Sequence, residues 1–513
     1  MHDVSCDFYE GCIHVIAGPS GSGKSTLLQV LNGLVPHINT GKFKGRVLMR
    51  GEDISDVPAN LRSEHIGLVM QDPEGQFCTF TVGEEIAFGL ENHCVEPKLI
   101  GRTIAEELDA IGLPAFEERS LYDMSGGQKQ KISIASITAM HPDILLLDEP
   151  TANLDPINRM AVLSLIKDLA RDNGVTVIMV EHNLEEIKND IDRLLVLGRD
   201  GSVLADGGLE EVMVMAERGE LDAVKRFLPR AILNTEPEES IWKQTDVANA
   251  AVAGAGGGNS SVIAADDALI SIRELTFAYP LNNGFFKKTY GEPVLDGLSL
   301  DIRRGDFMVL AGENGAGKST LMNAIFCVAP QQSGEVLLER LDVRKWNRRE
   351  LYNRMGLVFQ NPEMQFVTNQ VDEELLYSFK QSELSDGEKQ QRVDAMLEQF
   401  HLSEYSKKSP FILSQGQKRR LSVATMLLTG QQILFLDEPT YGQDSENKEE
   451  LMADMLELNR QGMTIVFITH DEDLIRKYAK RTAYLDNGRI VMDGTADDYF
   501  RFMAERRKEA GYA

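Results

Sequence analysis

Gly18-Pro19-Ser20-Gly21-Ser22-Gly23-Lys24-Ser25-Thr26 follows the apolar run His14-Val15-Ile16-Ala17. A glycine-rich turn between a buried strand and a helix lets backbone N–H groups face inward, and the helix N-terminus adds its dipole. That arrangement suits a polyphosphate, with Lys24 reaching the β and γ phosphates and Ser25 holding Mg²⁺. The stretch returns 294 residues later as Gly312-Glu313-Asn314-Gly315-Ala316-Gly317-Lys318-Ser319-Thr320. It again follows an apolar run, Met308-Val309-Leu310-Ala311, and Lys318 and Ser319 take the same roles.

A second motif repeats in step. Leu146-Leu147-Asp148-Glu149-Pro150-Thr151 recurs as Phe435-Leu436-Asp437-Glu438-Pro439-Thr440, 289 residues on. Gln71 and Gln360, and Ser125 and Ser414, share that spacing. The five-residue change of offset falls where the first copy carries a longer stretch, Pro36 to Gly45. Asp148 and Asp437, at the tips of apolar strands, suit Mg²⁺ binding through water; Glu149 and Glu438 beside them suit polarising a water. Short β-branched runs such as Val175–Val180 and Thr464–Thr469 alternate with amphipathic stretches, an α/β pattern with a mostly parallel sheet.

The 513 residues thus read as two copies of one domain, 1–230 and 269–513. Between them, 231–268 holds the run Ala253–Ser261 and six acids against one lysine, the composition of a flexible linker. Its 38 residues span roughly 35 Å as a coil, enough to let the copies meet face to face. With 53 basic and 80 acidic residues, net charge −27, the chain is a poor candidate for holding nucleic acid across a broad basic face. No apolar run approaches the ~18 residues of a membrane helix. The opening residues, with Asp3, Asp7 and Glu10, show no basic start followed by an apolar core. Five cysteines without a CxxC pair read as reduced thiols of a cytosolic protein.

Met124-Ser125-Gly126-Gly127-Gln128 and Leu413-Ser414-Gln415-Gly416-Gln417 resemble the signature of ABC ATPases. Gln71 and Gln360 match that family's Q-loops, Asp155 and Asp444 its D-loops, and His182 and His470 its switch histidines. The resemblance covers about 470 of the 513 residues. It implies tandem P-loop NTPase domains, each with a helical subdomain, that hydrolyse ATP with Mg²⁺ in a head-to-tail sandwich within one chain. One site would join Lys24, Ser25, Gln71, Asp148, Glu149 and His182 to Ser414 and Gly416. The other would join Lys318, Ser319, Gln360, Asp437, Glu438 and His470 to Ser125 and Gly127. The metal would be held by Ser25, Gln71 and Asp148, and by Ser319, Gln360 and Asp437. Gln415 departs from the usual glycine.

Gln71-Asp72-Pro73-Glu74-Gly75-Gln76-Phe77 and Gln360-Asn361-Pro362-Glu363-Met364-Gln365-Phe366 are similar to a pattern of energy-coupling-factor importers, with Asp72 in place of the usual Asn. This likeness implies a transmembrane scaffold subunit, a small substrate-binding membrane subunit, and a peripheral position on the cytoplasmic face of the cell membrane. Vitamins or transition-metal ions are the cargo of that family. Glu84, Glu85, Glu373 and Glu374 are candidate acids for docking arginines of the scaffold. The alternative is a soluble tandem ABC ATPase acting on ribosomes or DNA. The second signature looks most like that of fused ATPases for thiamine-precursor pyrimidines.

Aligning Gly18 with Gly312 sets Met1 opposite Leu295, so the first copy starts mid-strand. The second copy alone carries Leu275–Pro280, similar to the family's A-loop, whose aromatic, by position Tyr279, would stack on adenine. The spacing leads to the expectation that the natural chain starts upstream of Met1.

Overall fold

The computed structural model describes residues 1–19, 21–39, 41–152, 154–181, 187–222, 240–242, 268–281, 289–328, 332–380, 382–440, 443 and 445–509. Ser20, His182, Asp444 and nearly all of the expected linker lie outside the described residues. The chain divides into two compact units, Met1–Glu236 and Pro237–Ala513.

In the first unit a six-stranded sheet runs in the order Ile66–Val69, Ile144–Asp148, Thr176–Val180, Ile13–Ala17, Arg193–Leu197, Val203–Gly208. The first five are parallel and the last pairs antiparallel at the edge. Composition explains the order. Ile13–Ala17 and Thr176–Val180 are buried along their whole length, as strands covered by helices on both faces must be. The edge strand Val203–Gly208 alternates buried and exposed positions. Parallel pairing puts the C-terminal ends of Ile13–Ala17 and Ile144–Asp148 on the same sheet edge, where open α/β sheets bind ligands.

The second unit repeats this sheet as Met355–Val358, Ile433–Asp437, Thr464–Ile468, Phe307–Gly312, Arg481–Asp486 and antiparallel Arg489–Gly494. The α/β architecture expected from the sequence is the one the chain adopts, in both copies. Each unit also carries a helical layer between its Q segment and its signature. In the first unit Val82–Asn92, Pro97–Ala110 and Gly126–Thr138 enclose a separate core of Val82, Ile86, Leu90, Ile104, Leu108 and Ile132.

The units differ beside the phosphate-loop helix. In the second, a four-stranded antiparallel sheet (Leu295–Arg303, Ala268–Phe277, Ser333–Leu338, Leu341–Asp342) shares a core with Leu321 and Ile325. In the first, the antiparallel pairing at that place among the described residues is one short ladder, Leu48–Met49 with Glu52–Asp53. The face carrying Leu27, Val30, Leu31 and Ile178 there borders a cavity of about 1230 Å³. Within the second unit, Trp242 packs on Phe307 with ring centroids 6.1 Å apart and donates Nε1–H to the Tyr478 carbonyl at 2.8 Å.

Candidate nucleotide sites

Each glycine-rich loop is shaped by positions where only glycine fits. Gly18 (φ 147°) and Gly312 (φ 154°) sit so close to the neighbouring strand that a Cβ would lie 2.5 Å from the Leu197 carbonyl oxygen and 2.3 Å from that of Leu485. Gly23 and Gly317 are left-handed and open the helices Lys24–Asn32 and Lys318–Ile325. Both lysines are buried and fold back over their loops. Lys24 Nζ donates to the carbonyls of Gly18 and Pro19, each at 3.0 Å; Lys318 Nζ donates to those of Gly312 and Glu313 at 2.7 and 2.8 Å. Ser22 Oγ, inside the first loop, is buried with no hydrogen-bond partner among the described residues.

The hydroxyls and acids meet as the spacing requires. Ser25 Oγ donates to Asp148 Oδ1 at 3.0 Å, and Ser319 Oγ to Asp437 Oδ2 at 3.4 Å. Burial pushes the Asp437 carboxyl up, against the opposing pull of Lys318. A hydroxyl and a carboxylate oxygen beside a lysine-lined glycine loop form a donor set that fits a phosphate with a hard divalent cation. Glu149 (φ 49°) and Glu438 (φ 44°) both hold left-handed backbone, uncommon for a residue with a side chain. Their N–H groups donate to Val180 and Ile468 at 3.0 and 3.1 Å, which fixes them to the adjoining strand. Gln71 Nε2 donates to Glu149 Oε2 at 2.9 Å. In the second unit it is His470 that approaches the glutamate, with Nε2 at 3.1 Å from Glu438 Oε1. Burial pushes the Glu438 carboxyl up, against the opposing pull of Lys318.

The signature serines are helix caps. Ser125 Oγ accepts from the Gln128 N–H, and Gln128 Oε1 accepts from the Ser125 N–H; Ser414 and Gln417 repeat this capping box. Gly126 and Gln415 occupy the first helical position with φ negative, so the glutamine brings no backbone strain. The next glycine is different. A Cβ on Gly127 would lie 2.4 Å from Asn158, and one on Gly416 2.4 Å from Asn447. Asp155 caps the helix Pro156–Arg171 and holds Asn158, accepting from its N–H at 2.9 Å and its side-chain amide at 2.7 Å. Asp155 thereby holds the Asn158 side chain against Gly127 of the signature helix.

The expectation for the four acids after the Q segments fails for two of them. Glu85 is buried and its Oε2 accepts from the N–H groups of Cys78 and Thr79 and from Thr79 Oγ1, at 3.0, 3.0 and 2.8 Å. Glu374 does the same for Val367 and Thr368 at 3.0, 2.8 and 2.8 Å. Both carboxylates are consumed in closing the preceding loop and are not available for docking. Glu84 and Glu373 are exposed. The signal was in the sequence: Thr79 and Thr368 each stand six residues ahead of the buried acid.

Two further ties escaped sequence reading. Lys129 Nζ meets Glu74 Oε1, and Lys418 Nζ meets Glu363 Oε1, each at 2.5 Å, joining the Q segment to the signature helix in both copies. Tyr279, half exposed, packs edge-on against Phe277 and hydrogen-bonds Thr320 Oγ1 at 3.1 Å, beside the second phosphate loop.

Among the described residues no helix is long and apolar enough to cross a membrane. The family model described as "ABC transporter" matches residues 1–152 and 295–441. YkoD of Bacillus subtilis (strain 168), provisionally named an HMP/thiamine import ATP-binding protein, is 34% identical over 98% of this chain and 89% of its own. A provisionally named ABC transporter ATP-binding protein of Methanosarcina acetivorans is 33% identical over 98% of this chain and 84% of its own. The solved structure of cbiO1 from Clostridium perfringens, described as part of the ABC transporter complex cbiONQ, is 28% identical, covering 47% of this chain and 94% of its own at a TM-score of 0.41. With two phosphate loops, two Asp-Glu strand ends and two capped signature helices in one order, the chain belongs to the ABC transporter family and is a tandem ATPase of that family.

Proposed function

We propose that the chain is the ATP-hydrolysing motor of an energy-coupling-factor importer, with cassettes at 1–230 and 269–513 joined by the 231–268 segment. The observation that carries this reading is the pair of Q-x-P-E-x-Q-F segments, each anchored to its own signature helix by Glu74–Lys129 or Glu363–Lys418. A membrane subunit pressing on either segment would act directly on the helix that offers the signature serine. Exposed apolar residues gather there: Phe80 and Tyr122 on segments bonded through Leu121 N–H and the Phe80 carbonyl, and Met364, Val367 and Ile412 in the second unit. Glu84 and Glu373 add acidic charge for a basic scaffold. The −27 net charge works against the ribosome or DNA alternative.

In this reading each ATP lies between one cassette's loop and the other's signature. The N–H groups of the loop, with Lys24 or Lys318, bind the phosphates once the lysine exchanges its loop carbonyls for phosphate oxygens. Ser25 with Asp148, and Ser319 with Asp437, hold Mg²⁺, which when bound neutralises phosphate charge. Glu149 and Glu438 accept a proton from the attacking water, with Gln71, Gln360, His182 and His470 orienting it. Ser414 and Gly416 complete the Lys24 site, and Ser125 and Gly127 the Lys318 site. Binding closes the cassettes and hydrolysis releases them. The name of the Bacillus relative and the second signature both support a pyrimidine precursor of thiamine as cargo. Purifying the chain from membranes of its own source tests this. Two membrane proteins should co-purify and the assembly should take up labelled pyrimidine when ATP is supplied; ribosomes or DNA in their place would defeat it.

A further inference from the structure

The signature helix of the second unit, Gln415–Leu427, carries an arginine that the first unit lacks. Arg419 stands five residues beyond Ser414 and is 2% exposed. Its Nη1 donates to the Phe359 carbonyl at 2.5 Å, and its Nη2 to the carbonyls of Gln360 at 2.6 Å and Glu438 at 3.3 Å. One planar guanidinium therefore joins three segments: the Q segment, the turn after Ile433–Asp437, and the helix capped by Ser414. A rigid fork of donors does this; a single ammonium does not have the geometry. The peptide it grips at Glu438 is left-handed, a conformation held only where the surroundings enforce it.

The matching position in the first unit, 289 residues earlier, is Gln130. It is as buried, at 2%, and its Nε2 has no hydrogen-bond partner among the described residues. There the Q segment is tied to the glutamate by side chains instead, Gln71 to Glu149. The two units thus solve one problem with different parts. Burial pushes the Arg419 guanidinium down to about 10, so it stays charged at neutral pH, and Asp437 offsets its charge.

We propose that Arg419 is a positioning residue for ATP hydrolysis, fixing the backbones of Gln360 and Glu438 to the signature helix. The hydrolytic glutamate of one site and the signature serine offered to the other then move as one body. This rests on the reading of Gln360, Glu438 and Ser414 as parts of ATP sites.

The test is made in full-length chain carrying Glu149→Gln, so that turnover comes from the Glu438 site. Arg419→Gln, which installs the first copy's residue, should lower kcat about ten- to hundredfold. KM for ATP and the affinity for a fluorescent ATP analogue should change less than twofold. Arg419→Lys should fail to restore kcat, and it serves as the readout if Arg419→Gln does not fold. Parental kcat in either folded variant overturns the proposal. So does a fall in kcat matched by an equal loss of nucleotide affinity, which marks packing alone. A Glu149→Gln, Glu438→Gln chain that hydrolyses ATP at the parental rate sinks the site assignment itself, and the role of Arg419 falls with it.

Discussion

The side-chain amide of Gln71 donates to the carboxylate of Glu149 across 2.9 Å, bridging the Q segment and the strand-end acid of the first cassette. The bond joins a residue that follows one strand to a residue that follows its neighbour. Any displacement of the Q segment is felt at the glutamate before chemistry begins.

If Glu149 and Glu438 take the proton from water, Glu149→Gln with Glu438→Gln should keep nucleotide binding and slow turnover by at least about 10²–10⁴-fold. Steady-state ATPase rates beside equilibrium binding of a fluorescent nucleotide check both halves of the statement.

The contact of Gly127 with Asn158, and of Gly416 with Asn447, leaves no room for a methyl group. Gly127→Ala should cost about 1–3 kcal/mol by overpacking, read as a lower midpoint in urea. Combined with Asn158→Ala it should cost less than the sum of the two, because the clashing partner is gone.

Tyr279→Ala should weaken nucleotide binding at the Lys318 site by about ten- to 150-fold, a lost ring–base stack of roughly 1–3 kcal/mol. Tyr279→Phe keeps the ring, loses only the bond to Thr320, and should stay near parental affinity. Calorimetric titration of ATP in chain disabled at Lys24 measures it.

Glu85→Gln and Glu374→Gln should each destabilise the chain by about 1.5–3 kcal/mol, since each carboxylate accepts three hydrogen bonds. Glu84→Gln with Glu373→Gln should leave stability near parental and weaken recruitment to membranes holding the scaffold, less so at high salt. Urea melts and vesicle co-sedimentation separate the two effects.

Cys6 should resist alkylation at pH 8 while exposed Cys78 and Cys94 react. Burial, with Asp206 and Asp7 nearby, pushes the Cys6 thiol up to about 11, leaving about 10⁻³ as thiolate at pH 8. Its labelling should speed up roughly tenfold for each unit of pH below 11, followed by mass spectrometry of peptides.

Much of this was legible in the residues. The glycine loops, the Asp-Glu strand ends and the capped signatures are local patterns whose chemistry depends on neighbours in sequence. The sheet followed because buried parallel strands are apolar throughout. What the residues hid depended on which way a side chain turns once the strands and helices have packed. Glu85 reads as a helix-start acid beside Glu84, and only the fold turns one inward to Thr79 and leaves the other in water. Gln130 and Arg419 occupy one position of the repeat, and both are polar; that one grips three carbonyls appears only once the strands are side by side. Gly127 looked like a phosphate contact, and its nearest constraint is the side chain of Asn158.

The buried carboxylates of Glu85 and Glu374 also decide where bending is possible. Each staples the backbone just ahead of a helix to that helix's first turn, with three charge-assisted bonds. Between Cys78 and Glu85, and between Val367 and Glu374, the chain is held at both ends. A torque on the helix Val82–Asn92 is therefore passed through these bonds to Cys78, and the place to look for give is the far side of that staple, toward Gln71.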